Sequence, residues 1–218
     1  VAVGVSGGKD SLVLLAGLAP MRRFAEFDYD ITAVTIDPGF NGVPNNYDAV
    51  ARLCEKLDVP FSLVHTQIGE IVFDIRKEPN PCSLCANMRR GALHDAAKAA
   101  GCNKLALGHN NDDVIETFIM NLFNEGRIGC FSPKTHLDRK DITVIRPLVL
   151  APESQVLSAC NRNNLEIVKS VCPADKTTTR QKTKEFLRDM EHKDKGFKLR
   201  MFTALRKSGV DGWGYPDK

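Results

Sequence analysis

Short, continuous apolar runs alternate along the chain with longer segments of helical periodicity. Val1-Ala2-Val3-Gly4-Val5 has the unbroken apolar character of a buried strand. A tight turn, Ser6 to Ser11, leads into a helix from Leu12 to Leu18. Ile31 to Ile36 is β-branched and reads as a second strand, followed by a helix from about Asn46 to Leu57. Phe61 to His65 is the third strand, and Gly69 to Arg76 a short helix. Pro79 and Pro81 break the chain before Cys82, and Met88 to Ala100 is an Ala-rich helix ended by Gly101. Lys104 to Gly108 is a fourth strand, Asp112 to Asn124 a helix, and Thr143 to Ile145 a short strand stopped by Pro147. Pro152 to Asn163 begins with proline, as helices often do, and Glu166 to Lys169 reads as a last strand.

Strands alternating with helices predict an α/β fold: a parallel sheet with helices on both faces. Ligands of such sheets sit at the carboxyl ends of the strands, and the unusual residues fall there, after the first, second and fourth strands. The tail differs. From Lys176 to Lys207 it carries eleven Lys/Arg against four Asp/Glu and reads as helical. The organisation expected is therefore a first domain over 1–175 and a basic helical C-terminal extension over 176–218.

Composition narrows the class. Of 218 residues 43% are hydrophobic, enough to build a core, so disorder is excluded. No run reaches the ~18 apolar residues of a membrane span. The net charge of +3 permits an anionic partner without demanding one. Seven cysteines, an odd number in a chain this long, argue against a secreted disulfide framework. With no signal peptide in view, a reducing cytoplasmic setting is expected. The chain opens at Val1 inside a strand, without an initiator Met, and reads as a fragment.

Ser6-Gly7-Gly8-Lys9-Asp10-Ser11 joins a strand to a helix. Two glycines let backbone amides approach an anion, and the helix start adds free N–H groups and a positive dipole. Lys9 supplies a cation, Ser6 and Ser11 hydroxyls, and Asp10 a carboxylate able to help hold magnesium. The loop is not Walker A, because Asp follows the Lys and the glycine spacing is one short. It resembles the SGGxDS PP-loop of ATP pyrophosphatases. That resemblance implies a Rossmann-like fold, cleavage of ATP between its α- and β-phosphates, and transfer of AMP to a substrate oxygen.

Gly108-His109-Asn110-Asn111-Asp112-Asp113, continued by Glu116-Thr117, puts two carboxylates at a helix start, where they can cap amides or bind metal. The run is similar to the GHxxDDxxET segment of PP-loop enzymes that modify tRNA. The resemblance implies that Gly108, His109, Asp112 and Asp113 line the ATP site, with Asp112 and Asp113 holding Mg2+. It also implies that Asp37, ending the second strand, contacts adenosine, and that Arg146, in Arg146-Pro147-Leu148, faces the active site.

Cys82-Ser83-Leu84-Cys85 is a C-x-x-C, which alone fits redox chemistry, zinc or iron–sulfur. No second C-x-x-C exists to close a zinc site. Cys172, fixed by Pro173, is the leading third ligand, with Cys130 the alternative; Cys54, Cys102 and Cys160 read as core thiols. Three thiolates with an open fourth position suit a catalytic cluster. With Arg89-Arg90-Gly91-Ala92-Leu93, Asn121-Leu122-Phe123 and the segments above in order, residues 1–175 resemble the tRNA 2-thiocytidine synthetase family. One departure is that Cys172 is followed by Pro173-Ala174-Asp175, where the family often has a second C-x-x-C.

The resemblance implies a [4Fe-4S] cluster on Cys82, Cys85 and Cys172 with one free iron. It also implies catalytic roles for those residues with Lys9 and Asp10. ATP would adenylate the C2 oxygen of a cytidine in a tRNA anticodon loop, and sulfur would replace it to give 2-thiocytidine. Sulfur, held at the open iron or carried as a persulfide, would come from a cysteine desulfurase or free sulfide, and a homodimer is expected. The rivals are thiolation of a uridine, lysidine-synthetase-like amine transfer (which needs no thiols), a nucleotide sensor with structural zinc, and a thiol redox protein. The tail's Arg and Lys residues, with Arg89 and Arg90, fit an RNA backbone, and Trp213 and Tyr215 fit either base stacking or docking.

Overall fold

A computed structural model describes residues 1–77, 81–174 and 179–214. Strand β1 (Ala2–Gly4) is short and almost wholly buried, and its residues pair in parallel with β2 (Thr32–Asp37) on one side and β4 (Lys104–Ala106) on the other. Strand β3 (Phe61–His65) extends the β2 side; β6 (Ile142–Ile145) and then β5 (Lys134–Leu137) extend the β4 side. The order β3-β2-β1-β4-β6-β5 reverses its winding between β1 and β4, which opens a crevice at their carboxyl ends.

Helix α1 (Lys9–Met21) follows β1, and α2 (Asp48–Lys56) lies between β2 and β3. Both pack on one face, where Val3, Val5, Leu12, Leu15 and Val50 form a core. A π-helical turn (Glu70–Ile75) and α3 (Pro81–Ala99) cover the other face over Val34, Ile36, Leu105 and Val144. Helix α4 (Asn111–Asn124) follows β4, and α5 (Glu153–Arg162) follows β6 and packs against α1. The tail forms α6 (Thr179–Lys193) and α7 (Phe197–Ser208). Their apolar sides, through Leu187, Phe202 and Leu205, share a third core with Val114, Ile115 and Ile119 of α4.

Three features differ from the sequence reading, and the docking alternative for Trp213 holds. Helix α3 begins at Pro81 rather than Met88, so the C-x-x-C occupies its first turn; proline is well suited to that position because its missing N–H has no helical partner. Strand β5 was not expected, since Lys-Thr-His-Leu has no apolar run; it is an edge strand, antiparallel to β6, and its alternate residues are exposed. Residues 166–169 form no strand. Val168 N–H instead donates to Gly7 O at 3.0 Å, and Lys169 O accepts from Asn45, so the segment runs over the loops that follow β1 and β2. Trp213 is a docking residue: it is buried, stacks edge-on with Phe202, and donates from Nε1 to Phe131 O. Tyr215, Asp175 and the start of the tail at Lys176 lie outside the described residues. No described helix is long and apolar enough to cross a membrane.

Candidate nucleotide and sulfur-transfer site

The loop after β1 is organised by its own hydroxyls. Ser11 Oγ donates to Gly8 O at 2.9 Å and accepts from Ser6 N, while Ser6 Oγ accepts from Gly8 N. Gly7 has φ +81°, and a Cβ there would fall 2.6 Å from the Cβ of Val168. Gly8 caps α1 without a side-chain acceptor, leaving that helix start to an anion. Lys9 Nζ lies 2.8 Å from Asp10 Oδ2 and 2.8 Å from Glu153 Oε1. Asp10 Oδ1 in turn accepts from Asn110 Nδ2 at 2.8 Å, joining the two halves of the crevice.

The second half begins at Gly108, which sits so close to α1 that a Cβ would come within 2.9 Å of Asp10 C and Ser11 N. Asn110 and Asp113 then form a reciprocal capping box on α4. Magnesium binding by Asp112 and Asp113 does not fit this arrangement. Asp112 accepts from Glu153 N at 2.7 Å on one oxygen and from Lys198 at 2.8 Å on the other. Asp113 accepts from Asn110 N and from Arg180. Both carboxylates are therefore neutralised by protein donors, and no group of three His, Cys, Asp or Glu among the described residues is arranged to hold a metal ion. Asp37 is buried, and its oxygens are committed to Gly39 N, Asn45 N and His65, which shape the loop after β2.

A cavity of about 780 Å³ opens beside this crevice. Ser6, Asp10 and Gly108 line one part of it, Arg89, Arg90, Arg127, Arg146 and Arg180 add cations, and Val34, Ile36, Leu93, Leu107 and Val144 supply apolar wall. Phe131 anchors its wall: His109 packs on the ring at 4.8 Å and the Arg146 guanidinium lies over it at 4.9 Å. Burial, with Arg146 and Arg180 adding repulsion, lowers the His109 pKa to about 4, so the imidazole is neutral at pH 7. Burial also raises Glu116 to about 7, against the pull of Arg180.

These two shifts act oppositely on stability. Folded His109 binds fewer protons than the unfolded chain between about pH 4 and 6.5, so its contribution to stability rises with pH there. Folded Glu116 binds more protons between about 4.5 and 7, so its contribution falls with pH. In urea titrations over pH 4.5–6.5, Glu116→Gln is expected to make the slope of stability against pH more positive than the parent's. His109→Gln should make it more negative. Slopes unchanged in both variants would contradict the burial of these groups.

The first turn of α3 places Cys82 and Cys85 three residues apart on one side of the helix. Burial raises both thiols, and Cys172 raises both further by charge repulsion, so the three sulfurs lie within electrostatic reach of one another. Cys85 and Cys172 also belong to the same apolar cluster. All three are free thiols. Three cysteines are the donor type of an iron–sulfur cluster with three protein ligands, and the chemistry of the set fits one, but in this structure the three sulfurs are not gathered into a metal-holding group. Cys130 is elsewhere: it packs in the core under α6 and α7, donates to Val114 O, and burial pushes it up to about 12. Cys172 is four residues past Val168, which bonds the PP-loop, so it lies within about 14 Å of that contact even if the chain is extended. Arg89, one turn after Cys85, lines the cavity, and α3 thus presents thiols and cavity wall together.

Sequence reasoning found the loops and missed what closes them. Glu153, Phe131, Arg127 and Arg180 belong to the site; only the Pro-Glu start of α5 carried a local signal, as an acidic first turn. The tail's cations were read as RNA contacts, yet Arg180, Lys184 and Lys198 pair with Asp113, Glu153 and Asp112.

A family model described as a PP-loop domain matches residues 1–190. The tRNA-cytidine(32) 2-sulfurtransferase of Pelobacter propionicus is 39% identical over 208 residues, 94% of this chain and 77% of that protein. The protein of the same name from Geobacter sulfurreducens is 36% identical over 208 residues, 94% of this chain and 80% of its own. Among solved structures, the U34-tRNA thiolase NcsA from Methanococcus maripaludis, with its [4Fe-4S] cluster, matches with a TM-score of 0.77. Its identity is 28%, covering 93% of this chain and 69% of that one. By this family model and these relatives, the chain belongs to the PP-loop family and, within it, to the tRNA-cytidine(32) 2-sulfurtransferase family.

Proposed function

We propose that this protein is an ATP-dependent tRNA sulfurtransferase that replaces the C2 oxygen of an anticodon-loop cytidine with sulfur. The observation that carries the reading is one end of a sheet presenting both a PP-loop and the C-x-x-C of Cys82 and Cys85, whose free thiols are raised by the nearby Cys172.

The PP-loop amides, the start of α1 and Lys9 would hold the triphosphate of ATP. Asp10, held by Asn110 and Lys9, would keep that cation oriented. The arginine-lined cavity would receive the nucleotide to be modified, with Arg89 and Arg90 near its phosphates. The base oxygen attacks the α-phosphorus, pyrophosphate leaves, and the C2–O bond is primed because AMP is a better leaving group than hydroxide. A hydrosulfide-level nucleophile then adds at C2 and AMP departs with the former base oxygen. Neutral His109 can donate or accept a hydrogen bond in this cavity without adding charge. Cys82, Cys85 and Cys172 would hold the [4Fe-4S] cluster, which when bound supplies an iron with a free position for sulfur. No step is assigned to magnesium through Asp112 or Asp113, whose oxygens are engaged. The sulfur source would be sulfide or a cysteine desulfurase, and the protein would act as a homodimer.

The test is anaerobic incubation of the reconstituted protein with ATP, sulfide and unmodified tRNA, followed by nucleoside analysis. The expected product is 2-thiocytidine with one AMP per sulfur gained. Thiouridine instead would move the assignment toward the chemistry named for NcsA. Lysidine, or AMP formation without sulfur incorporation, would overturn thiolation.

A further inference from the structure

Glu153 stands at a junction that neither the PP-loop nor the C-terminal helices explain alone. Its Oε1 lies 2.8 Å from Lys9 Nζ and 2.8 Å from Lys184 Nζ. One carboxylate oxygen therefore separates two ammonium groups, one from the nucleotide loop and one from α6. The two cations hold the Glu153 pKa down to about 2, overcoming burial. Beside them lies the uncapped start of α1. The ensemble is an anion seat with two lysines and a helix start, occupied by a side chain of the protein itself.

Two features separate Lys184 from a simple tie between helices. First, α6 is already secured on α4: Arg180, one turn earlier, pairs with Asp113 and bonds Thr117, and Leu187 is buried. Second, the Lys184 side chain is 45% exposed, and half-exposed pairs contribute little to docking. Its ammonium nevertheless shares an oxygen with the PP-loop lysine.

We propose that Lys184 is a phosphate ligand supplied by the C-terminal helices. Glu153 is the internal anion that gathers Lys184 and Lys9 until the polyphosphate of the nucleotide replaces it. The inference rests on the reading of the PP-loop as an ATP site and adds a residue from outside the loop. It makes α6 part of the nucleotide site, on the side of the departing pyrophosphate. Glu153 then competes with the ligand, and its removal strengthens nucleotide binding.

The experiment is calorimetry on the full chain with α,β-methylene-ATP, which cannot be cleaved at the reacting bond, and separately with AMP. Lys184→Met keeps the aliphatic stem and is expected to weaken the ATP analogue about tenfold, the order of one charge-assisted hydrogen bond, while AMP changes less than about twofold. Lys184→Arg, which retains the charge, should stay near the parent. Glu153→Gln should bind the ATP analogue several-fold more tightly. Unchanged affinity in Lys184→Met, an equal loss for both ligands, or weaker binding by Glu153→Gln would overturn the proposal while leaving the ATP site standing. Failure of the parent chain to bind the analogue would overturn both.

Discussion

Cys172→Ala is expected to lose thiolation while ATP binding stays within about twofold of the parent. Cys172 raises the Cys82 and Cys85 thiols by charge repulsion and packs against the apolar cluster that holds Cys85. Removing one of three protein ligands leaves the cluster open at two irons, where water and oxidants reach it. Iron and sulfide should fall in the anaerobically purified protein, and 2-thiocytidine formation should drop by about 100-fold or more, the scale on which disturbed metal sites lose activity. Cys130→Ala is the matched control. That thiol packs against Val114 under α6 and α7, so its loss is a core truncation costing roughly 1 kcal/mol and leaves iron in place. Iron lost with Cys130 and kept with Cys172 would reverse the ligand assignment.

Gly108→Ala is expected to disable the nucleotide site with a methyl group. The added Cβ would meet the Asp10 carbonyl carbon and the Ser11 nitrogen at 2.9 Å, both main-chain atoms that cannot rotate aside. The start of α1 must shift, and with it the Lys9 and Asp10 side chains. Overpacking of this kind costs about 1–3 kcal/mol of stability. Misplacement of reacting groups by about 1 Å costs on the order of 100-fold in rate, so AMP formation should fall by that factor. Gly17→Ala, in the middle of α1 with nothing within 4 Å of the new Cβ, should instead stabilise the protein by about 1 kcal/mol and leave AMP formation unchanged. Equal effects from the two substitutions would show that the close approach at Gly108 does not position the loop.

The contrast between these glycines bears on what a sequence can reveal. Gly7 and Gly8 were recognisable because a Gly-Gly-Lys turn between a strand and a helix has a local chemical meaning. The Gly108 constraint arises from main chain about a hundred residues away, which no local pattern encodes. Capping of α4 by Asp112 or Asp113 was the local expectation; the cap is Asn110 with Asp113 reciprocating, and the partners of Asp112 had no local signal, since Lys198 lies 86 residues on. The Glu166–Lys169 reading failed because extended backbone is not yet a strand. What its amides meet is a tertiary matter, and here Val168 met Gly7.

The alternation of the first four strands with helices, the PP-loop, the paired carboxylates and the candidacy of Cys82, Cys85 and Cys172 were all determined by sequence alone. Each rests on side-chain type and spacing within a few residues, where covalent geometry limits the arrangements. Tertiary structure decided the rest. It turned three cations of the basic tail inward, because the apolar faces of α6 and α7 needed the uncovered side of α4, and docking them there carried Arg180, Lys184 and Lys198 to the partly buried acids. Burial of those acids without cations would have been costly, so the charge of the tail answers a requirement set by α4 and α5, elements that precede it in the chain.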